Sequence, residues 1–414
     1  MENNMFKWNR FDLPIKFLFL KFYDKDINSS FADDMYKEHL RLWNGFNEYD
    51  NPNKNSYEKF RDDFIKIFVD IENNNFDWNK SPIVLDSENY LINGAHRTAA
   101  AMYLDTNYKF RRQTSIADGQ KICDYNLFSH LGLSEEYMDA AALEFVRRNK
   151  NLLLVNLFPA ADHSRSQVDS IISKHGNIFY KKNIKLNNVG SLNYMFQLYK
   201  GEKWAGNYYN QFAGFKEKQS LCFTSEKPMI VYLIDTNNKD SAIELKKDLR
   251  SLYNIGNHSV HINDTHEETL RLSRSIFNKN SIHFLNNCKI SNFEKFQSLL
   301  NNYEDYISNN NLDIENYCIT ASSVLSAYGL REGKDLDYLH FGRKLDLEYK
   351  DINSHNQYGI GRYSKNIDDI IFNPRNHFYY GNIKFASLDI IEDLKEKRKE
   401  PKDYIDLDLI RSIK

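Results

Sequence analysis

The sequence has few cysteines, no long apolar run and almost no net charge, and each shortage removes a class of protein. Its four cysteines, Cys123, Cys222, Cys288 and Cys318, lie far apart in 414 residues. No two have metal-ligand spacing, so they read as buried free thiols and not as a disulfide framework. The longest apolar run, Phe17–Leu20 with its flanks, is interrupted by Lys16 and Lys21. It is too short to cross a bilayer and has no cleavable-signal pattern, so a cytoplasmic protein with no membrane span is expected. Lysine and arginine number 55 against 57 acidic residues, a formal net charge of −2. That balance argues against broad, sequence-independent nucleic-acid binding. Internal repeats and low-complexity tails are absent. What is present is 41% hydrophobic and 14% aromatic, enough for a globular chain of two or three domains with their own cores. The expected fold class is α+β and multidomain, with the oligomeric state left open.

The most informative stretch runs from Cys318 to Asp337. It reads as a strand, a small-residue turn (Ala321, Ser322, Ser323), a helix, a loop and a second strand over Leu336–Phe341. Asp335 and Asp337 are separated by one residue, a spacing that on a strand points both side chains to one face. Two carboxylates on one face repel each other unless a cation lies between them, and Mg²⁺ suits oxygen ligands shared with phosphate. Ser322 and Ser323 open the helix, where free backbone N–H groups and the positive dipole end suit a phosphate. A phosphate seat is thus paired with a metal seat.

This arrangement resembles the nucleotidyltransferases of the polymerase-β type, which carry Gly-Ser followed by Asp-x-Asp. Ala321 stands at the family's glycine position. Downstream, Gly381–Asp389 and Leu394–Asp403 are similar to the tail of small nucleotidyltransferases, with a basic helix and a Lys-Asp pair before the last helix. The resemblance implies that Asp335 and Asp337 hold Mg²⁺ and help activate an acceptor oxygen. It implies that Ser322 and Ser323 bind the triphosphate of a nucleotide such as ATP or CTP, and that Lys395 or Arg398 neutralises the leaving phosphate. Asp351 and Asp369 are candidates for the family's third carboxylate. The polar run Asn309–Asn311 precedes this nucleotidyltransferase-like domain, residues 311–414.

At the other end, helices are expected over Ala32–Asn44 and Tyr57–Asn73. Strands over Ile83–Leu85 and Tyr90–Ile92 then lead into Asn93-Gly-Ala-His-Arg97 and a helix over Thr98–Leu104. Gly94 permits a sharp turn, and Arg97 at a helix start suits phosphate oxygens. Strand, Gly-x-His-Arg and Ala-rich helix resemble the ParB/sulfiredoxin superfamily over residues 10–115. Its members include DNA-partition nucleotide switches, sulfiredoxins and free-serine kinases. The likeness implies that Gly94, His96 and Arg97 contact nucleotide phosphate. The double arginine of the partition proteins and a helix-turn-helix are both missing, so the small-molecule kinase branch fits better. This domain is placed at 1–115.

Residues 116–310 follow a β-α-β-α-β order that resembles a ferredoxin-like unit. Helices are expected over Gly132–Arg148, Ser166–Lys174, Leu192–Tyr199, Phe293–Asn301 and Tyr303–Ser308. Strands are expected over Asn151–Phe158, Ile178–Tyr180, Pro228–Asp235 and Ser281–Leu285. Lys246–Arg250 followed by Asn257-His-Ser-Val-His261-Ile-Asn-Asp264 looks like nucleoside diphosphate kinases. That likeness implies His261 as phosphoacceptor and Arg250 as phosphate clamp. Phe158 stands where that family has lysine, and the glutamate that orients its histidine would fall near Leu272 and not at Glu268. Histidine is a competent nucleophile only when oriented. Asp264–Glu268 also reads as a helix cap.

Three segments that each resemble a phosphate-handling fold point to a transferase of phosphorus-containing groups. The expected activity is Mg²⁺-dependent nucleotidyl or phosphoryl transfer to a small hydroxylated, carbohydrate-related acceptor in cell-surface polysaccharide synthesis. One alternative is a ParB-like small-molecule kinase using the Asn93–Arg97 loop. Another is a non-enzymatic nucleotide-sensing protein.

Overall fold

The computed structural model describes residues 10–414 apart from 49–50, 114–122, 163, 208, 237–238, 292 and 347–350. The fold is mixed α+β with several small sheets. The expected junction at 115/116 lies outside the described residues. The chain divides into two compact units. One takes Met1–Leu153, Ile172–Lys181 and Tyr232–Ala242; the other takes Leu154–Ile171, Lys182–Val231 and Ile243–Lys414. Among the described residues no helix is long and apolar enough to cross a membrane.

The chain opens with helices α1 (Asp12–Asp24), α2 (Phe31–Asn44) and α3 (Tyr57–Glu72). Strands β1 (Ile83–Leu85) and β2 (Leu91–Asn93), helix α4 (Ala95–Tyr103), strand β3 (Phe110–Arg112) and helices α5 (Tyr125–His130) and α6 (Glu135–Arg148) follow. Helix α1 is the Phe17–Leu20 run, for which the sequence reading placed no helix. It is buried on nearly every side, from Leu13 to Phe22, and packs against α2, α4 and α6. A helix that is apolar all round belongs at the centre of a core. Its interrupting Lys16 is buried too, where Nζ reaches the Asp12 carboxylate at 2.7 Å, and Arg10 holds the same carboxylate at 2.8 Å. Ser56 and Ser134 cap α3 and α6 by accepting from Lys59 N and Tyr137 N, as expected for Ser134. The small sheet has the order β2-β1-β3, with β1 antiparallel to β2 and parallel to β3.

Next come β4 (Leu152–Leu157), α7 (Arg165–His175), β5 (Gly176–Ile184), α8 (Asn188–Leu198), α9 (Ala213–Cys222) and β6 (Met229–Thr236). After these are α10 (Lys239–Tyr253), β7 (Val260–Ile262), α11 (His266–Ile276), α12 (Lys279–Asn287) and α13 (Glu294–Asn309). The strands form a sheet in the order β5-β6-β4-β7, and β7 runs antiparallel to β4 with His261 opposite Asn156. The strand expected at Ser281–Leu285 is instead part of α12. Asn278 caps it by accepting from Ser281 N at 2.8 Å, and Ser281, Phe284 and Leu285 form its buried face. A short apolar run is ambiguous between strand and helix until a cap and an i, i+3, i+4 face decide it. Helix α13 is one element where two were expected.

The last third holds β8 (Tyr317–Thr320), α14 (Ser322–Ala327), β9 (Leu336–His340), β10 (Ile352–Ser354), α15 (Asn356–Gly359) and α16 (Ile367–Phe372). It ends with β11 (His377–Tyr380), β12 (Ile383–Ala386), α17 (Leu388–Arg398) and α18 (Pro401–Arg411). The sheet order is β10-β9-β8-β12-β11, with β9 antiparallel to β8 and parallel to β10. A buried knot pins this sheet to α11: Glu315 accepts from Arg274 at 2.6 Å and from Tyr379 at 2.7 Å, and Lys384 lies 3.1 Å away.

Helix α14 ends at Gly329, whose φ of +69° is a left-handed conformation and whose absent Cβ leaves room for the Lys289 carbonyl. Gly329→Ala combines backbone strain with a backbone collision. It should cost about 1–3 kcal/mol, read as a lower midpoint in denaturant unfolding.

Candidate active site

The site grows from the β8–α14 turn. Ala321 has φ 54° and ψ −138°, a backbone conformation that favours glycine. The turn therefore keeps a glycine-type shape although alanine occupies the position. After it, Ser323 is fully buried and its hydroxyl stitches the turn to the strand that carries the acids. Its Oγ donates to the Asp335 carbonyl at 3.3 Å and accepts from Asp337 N at 3.2 Å. Ser323 thus shapes the loop between the acids and has little freedom to bind a ligand. Helix α14 is only six residues long, so the axial dipole invoked from sequence is short.

Positive charge at the turn comes instead from side chains. Ser322 Oγ accepts from Arg331 Nη2 at 3.0 Å and from Lys395 Nζ at 3.2 Å. Two cationic donors occupy the acceptor positions of this hydroxyl, which directs its own proton elsewhere. Both cations are anchored from behind. Lys395 reaches Asp406 at 2.6 Å and Asp403 at 3.3 Å, and Arg331 clasps Asp406 with Nε and Nη2 at 2.6 and 2.8 Å. Arg398 donates to Asp403 at 2.9 Å through Nε. Burial pushes the Asp403 carboxyl up, but the Arg398 hydrogen bond prevails and holds it at about 2. Lys395 is completely buried, so it reaches a ligand only through Ser322 and not by the direct neutralisation expected from sequence. Three cations, Arg331, Lys395 and Arg398, share two carboxylates. Arg331, Asp406 and their role behind Ser322 went unread in the sequence. The signal was present: Lys395 and Arg398 are one turn apart on α17, and Asp403 and Asp406 are one turn apart on α18.

The acids face this network with no partner of their own. Asp335 and Asp337 are half-buried, and among the described residues neither carboxylate has a hydrogen bond or ion pair. Burial first, and the Asp335 charge second, push the Asp337 carboxyl up to about 6, against the pull of Arg398, Lys395 and Lys402. A carboxylate pair in this condition suits a divalent cation. Among the described residues no group of three or more His, Cys, Asp or Glu side chains is placed to hold a metal. Asp335 and Asp337 would hold Mg²⁺ together with substrate phosphate, the usual manner for that ion. The two candidate third acids are engaged elsewhere: Asp351 pairs with Lys295 at 2.8 Å, and Asp369 accepts from Asn373 and Asn376 at 3.0 and 2.9 Å. The residue beside Asp337 on β10 is Asn353.

Thr320 lies opposite Asp337 on β8. Its hydroxyl is 2.8 Å from that of Tyr363, which is 2.9 Å from His355 Nδ1. Burial first, then Arg398 and Arg362, push the His355 imidazole down to about 4, so this chain is neutral at ordinary pH. None of it was read from the sequence, because the residues lie far apart in order.

The other predicted groups form separate clusters. Gly94 adopts the left-handed turn expected of it, with φ +98°. His96 turns towards α2 and α3, where Nε2 meets the Tyr36 hydroxyl at 2.8 Å and the ring lies 4.6 Å from Phe64. Burial, then Lys16 and Lys54, depress its basicity well below the ordinary value. Arg97 folds back to Asn93 Oδ1 at 3.0 Å. His261, on β7, has Nε2 3.3 Å from Glu268 Oε1 and the Tyr199 ring edge-on at 5.2 Å. Glu268 is therefore the acid that orients His261, and Leu272 is buried core. Arg250 lines a groove of about 460 Å³ with Lys246, Lys247 and Asn254, and its Nε is buried without a partner.

Two outcomes follow from this geometry. Ala321→Gly should raise the melting temperature, against the usual direction of that exchange, because relief of positive-φ strain exceeds the added freedom of the unfolded chain. The folded Asp337 carboxyl binds its proton more tightly than the unfolded one, so its stabilising contribution is present below the ordinary carboxylate range. That contribution is lost as pH rises through about 6. In metal-free buffer, Asp337→Asn should therefore melt higher than wild type at pH 7.5 and equal to it at pH 4. Comparison with family models, with curated proteins and with solved structures gave no match to this chain.

Proposed function

We propose that the chain is a Mg²⁺-dependent transferase of nucleotidyl, or other phosphorus-containing, groups, with its reaction centre at Asp335 and Asp337. The observation that carries this reading is a pair of half-buried carboxylates without protein partners, stitched by Ser323 to a turn whose Ser322 hydroxyl is backed by Arg331 and Lys395. Two neighbouring carboxylates that, among the described residues, have no ion pair repel each other, and a divalent cation would relieve that repulsion. Mg²⁺ bound there would stabilise charge developing on the transferred phosphorus group. The Ser322 hydroxyl donates a hydrogen bond to a phosphate oxygen of the nucleotide. The acceptor hydroxyl loses its proton to Asp337 as its oxygen bonds to the α-phosphorus, and the bond to the β-phosphate oxygen breaks to release pyrophosphate.

A small hydroxylated acceptor, of carbohydrate type and used in cell-surface polymer synthesis, belongs to this reading through the similarity of the tail at Leu394–Asp403, an analogy at the level of fold. A second reading, phosphoryl transfer through His261, is favoured by the Glu268 contact that orients its ring. The strand order β5-β6-β4-β7 supports a ferredoxin-like middle region for that reading.

A nucleotide panel in thermal-shift format, with and without Mg²⁺, tests the proposal. ATP or CTP should raise the melting temperature only with Mg²⁺. The shift should vanish in Asp335→Asn/Asp337→Asn and persist in Arg97→Ala and His261→Ala. Loss with Arg97→Ala alone moves the chemistry to the N-terminal loop, loss with His261→Ala alone moves it to β7, and no shift with any nucleotide overturns the transferase reading.

A further inference from the structure

Among the described residues, the cations that act on Asp337 or bond Ser322 are already committed to acids. Arg331 holds Asp406, Lys395 holds Asp403 and Asp406, Arg398 holds Asp403 and Glu400, and Lys402 holds Glu400. Among the described residues Arg362 holds no carboxylate. Its guanidinium carbon lies 3.6 Å from the centre of the Tyr358 ring, and its Nη1 is buried with no hydrogen-bond partner.

The place of Arg362 is set by its neighbours. Tyr363, the next residue, has its hydroxyl on Thr320, which faces Asp337 across the β8–β9 pair. Tyr358 stacks on His355 with ring centres 4.3 Å apart, and His355 bonds the same Tyr363 hydroxyl. Arg362 is therefore held on an aromatic support beside His355, in the Thr320–Tyr363–His355 group that borders the carboxylate strand, and among the described residues it has no carboxylate partner. A stacked guanidinium keeps its planar fork of N–H donors ordered, and that fork matches phosphate oxygens. An unfilled buried N–H is costly, so an anion is favoured there.

We infer that Arg362 receives a phosphate oxygen of the substrate, supplying a cation not tied to a carboxylate, which the Ser322 cluster lacks. This rests on the transferase reading above. The phosphate belongs either to the polyphosphate of the nucleotide donor or to a phosphorylated acceptor, and the two sources are separable.

The test uses the full chain and three probes: Mn²⁺ alone, inorganic pyrophosphate with Mg²⁺, and glycerol 3-phosphate with Mg²⁺. Arg362→Ala and Arg362→Lys are compared with wild type and with Asp335→Asn/Asp337→Asn, each first confirmed as folded by its melting profile. Mn²⁺ should bind wild type and both Arg362 variants equally and be lost in the double Asp variant; absence of Mn²⁺ binding to wild type overturns the transferase reading itself. With Mn²⁺ binding intact, Arg362→Ala should weaken one phosphate probe by about tenfold or more. Arg362→Lys should recover part of that loss, because it restores the charge without the fork. Weakened pyrophosphate assigns Arg362 to the donor, and weakened glycerol 3-phosphate with unchanged pyrophosphate assigns it to the acceptor. Unchanged affinity for both probes, or no binding of either to wild type, overturns the inference and leaves the metal site standing.

Discussion

The C-terminal site depends on one buried ammonium. Lys395 is shut off from water and is held by Asp406, Asp403 and the Ser322 hydroxyl. A lysine in that position is tolerable only because two carboxylates neutralise it. Removing it would leave Arg331 on Asp406 and Arg398 on Asp403, but would cut the one cation that joins the two acids to each other and α17 to the Ser322 hydroxyl. The same contacts tie α17 and α18 to the turn after β8 and, through Arg331, to the loop that leads into Asp335. The helical hairpin at the end of the chain is therefore part of the site and not an appendage to it.

Under the transferase reading, this network changes how the turn would attract phosphate. A long helix would offer its dipole, but α14 spans six residues, and the positive field of a helix end weakens as the helix shortens. Ser322 replaces that field with a hydroxyl polarised by two cations. Ser323 is used differently, as a stitch between the turn and the carboxylate strand. Adjacent serines thus divide binding from positioning. The Asp337 carboxyl is raised by burial and by Asp335, and the neutral Thr320–Tyr363–His355 chain beside it adds no competing charge.

Two other clusters contain the same residue types with different physical outcomes. His96 is drawn to Tyr36 and Phe64, and burial depresses its basicity, so its imidazole is engaged within the helices and not in the phosphate contact the loop's resemblance implied. His261 keeps an edge open to solvent and is oriented by Glu268, one helical turn before the position the sequence pattern indicated. The start of α11 brings Glu268 back over β7, so distance along the chain misjudged which acid faces the ring.

Much of the architecture was legible in the amino-acid order. Helices α2, α3 and α6 carry amphipathic periodicity, with serine caps at α3 and α6, and β6 and β9 are short apolar strands bounded by polar residues. The Asp335–Asp337 spacing and the Ala-Ser-Ser turn were legible too, because local backbone geometry fixes which side chains share a face. What failed locally was decided by burial. An all-apolar helix such as α1 has no polar face to reveal its period, and Ser281–Leu285 is too short for period to choose between strand and helix. The third group of features had no local signal at all. Asp406 meeting Lys395 and Arg331, and Tyr363 joining Thr320 to His355, are pairings between distant segments, and whether Arg362 finds an acid is decided in the same way. Spacing along the chain determines which residues share a face, but only tertiary packing decides which charges are neutralised and which remain for a ligand.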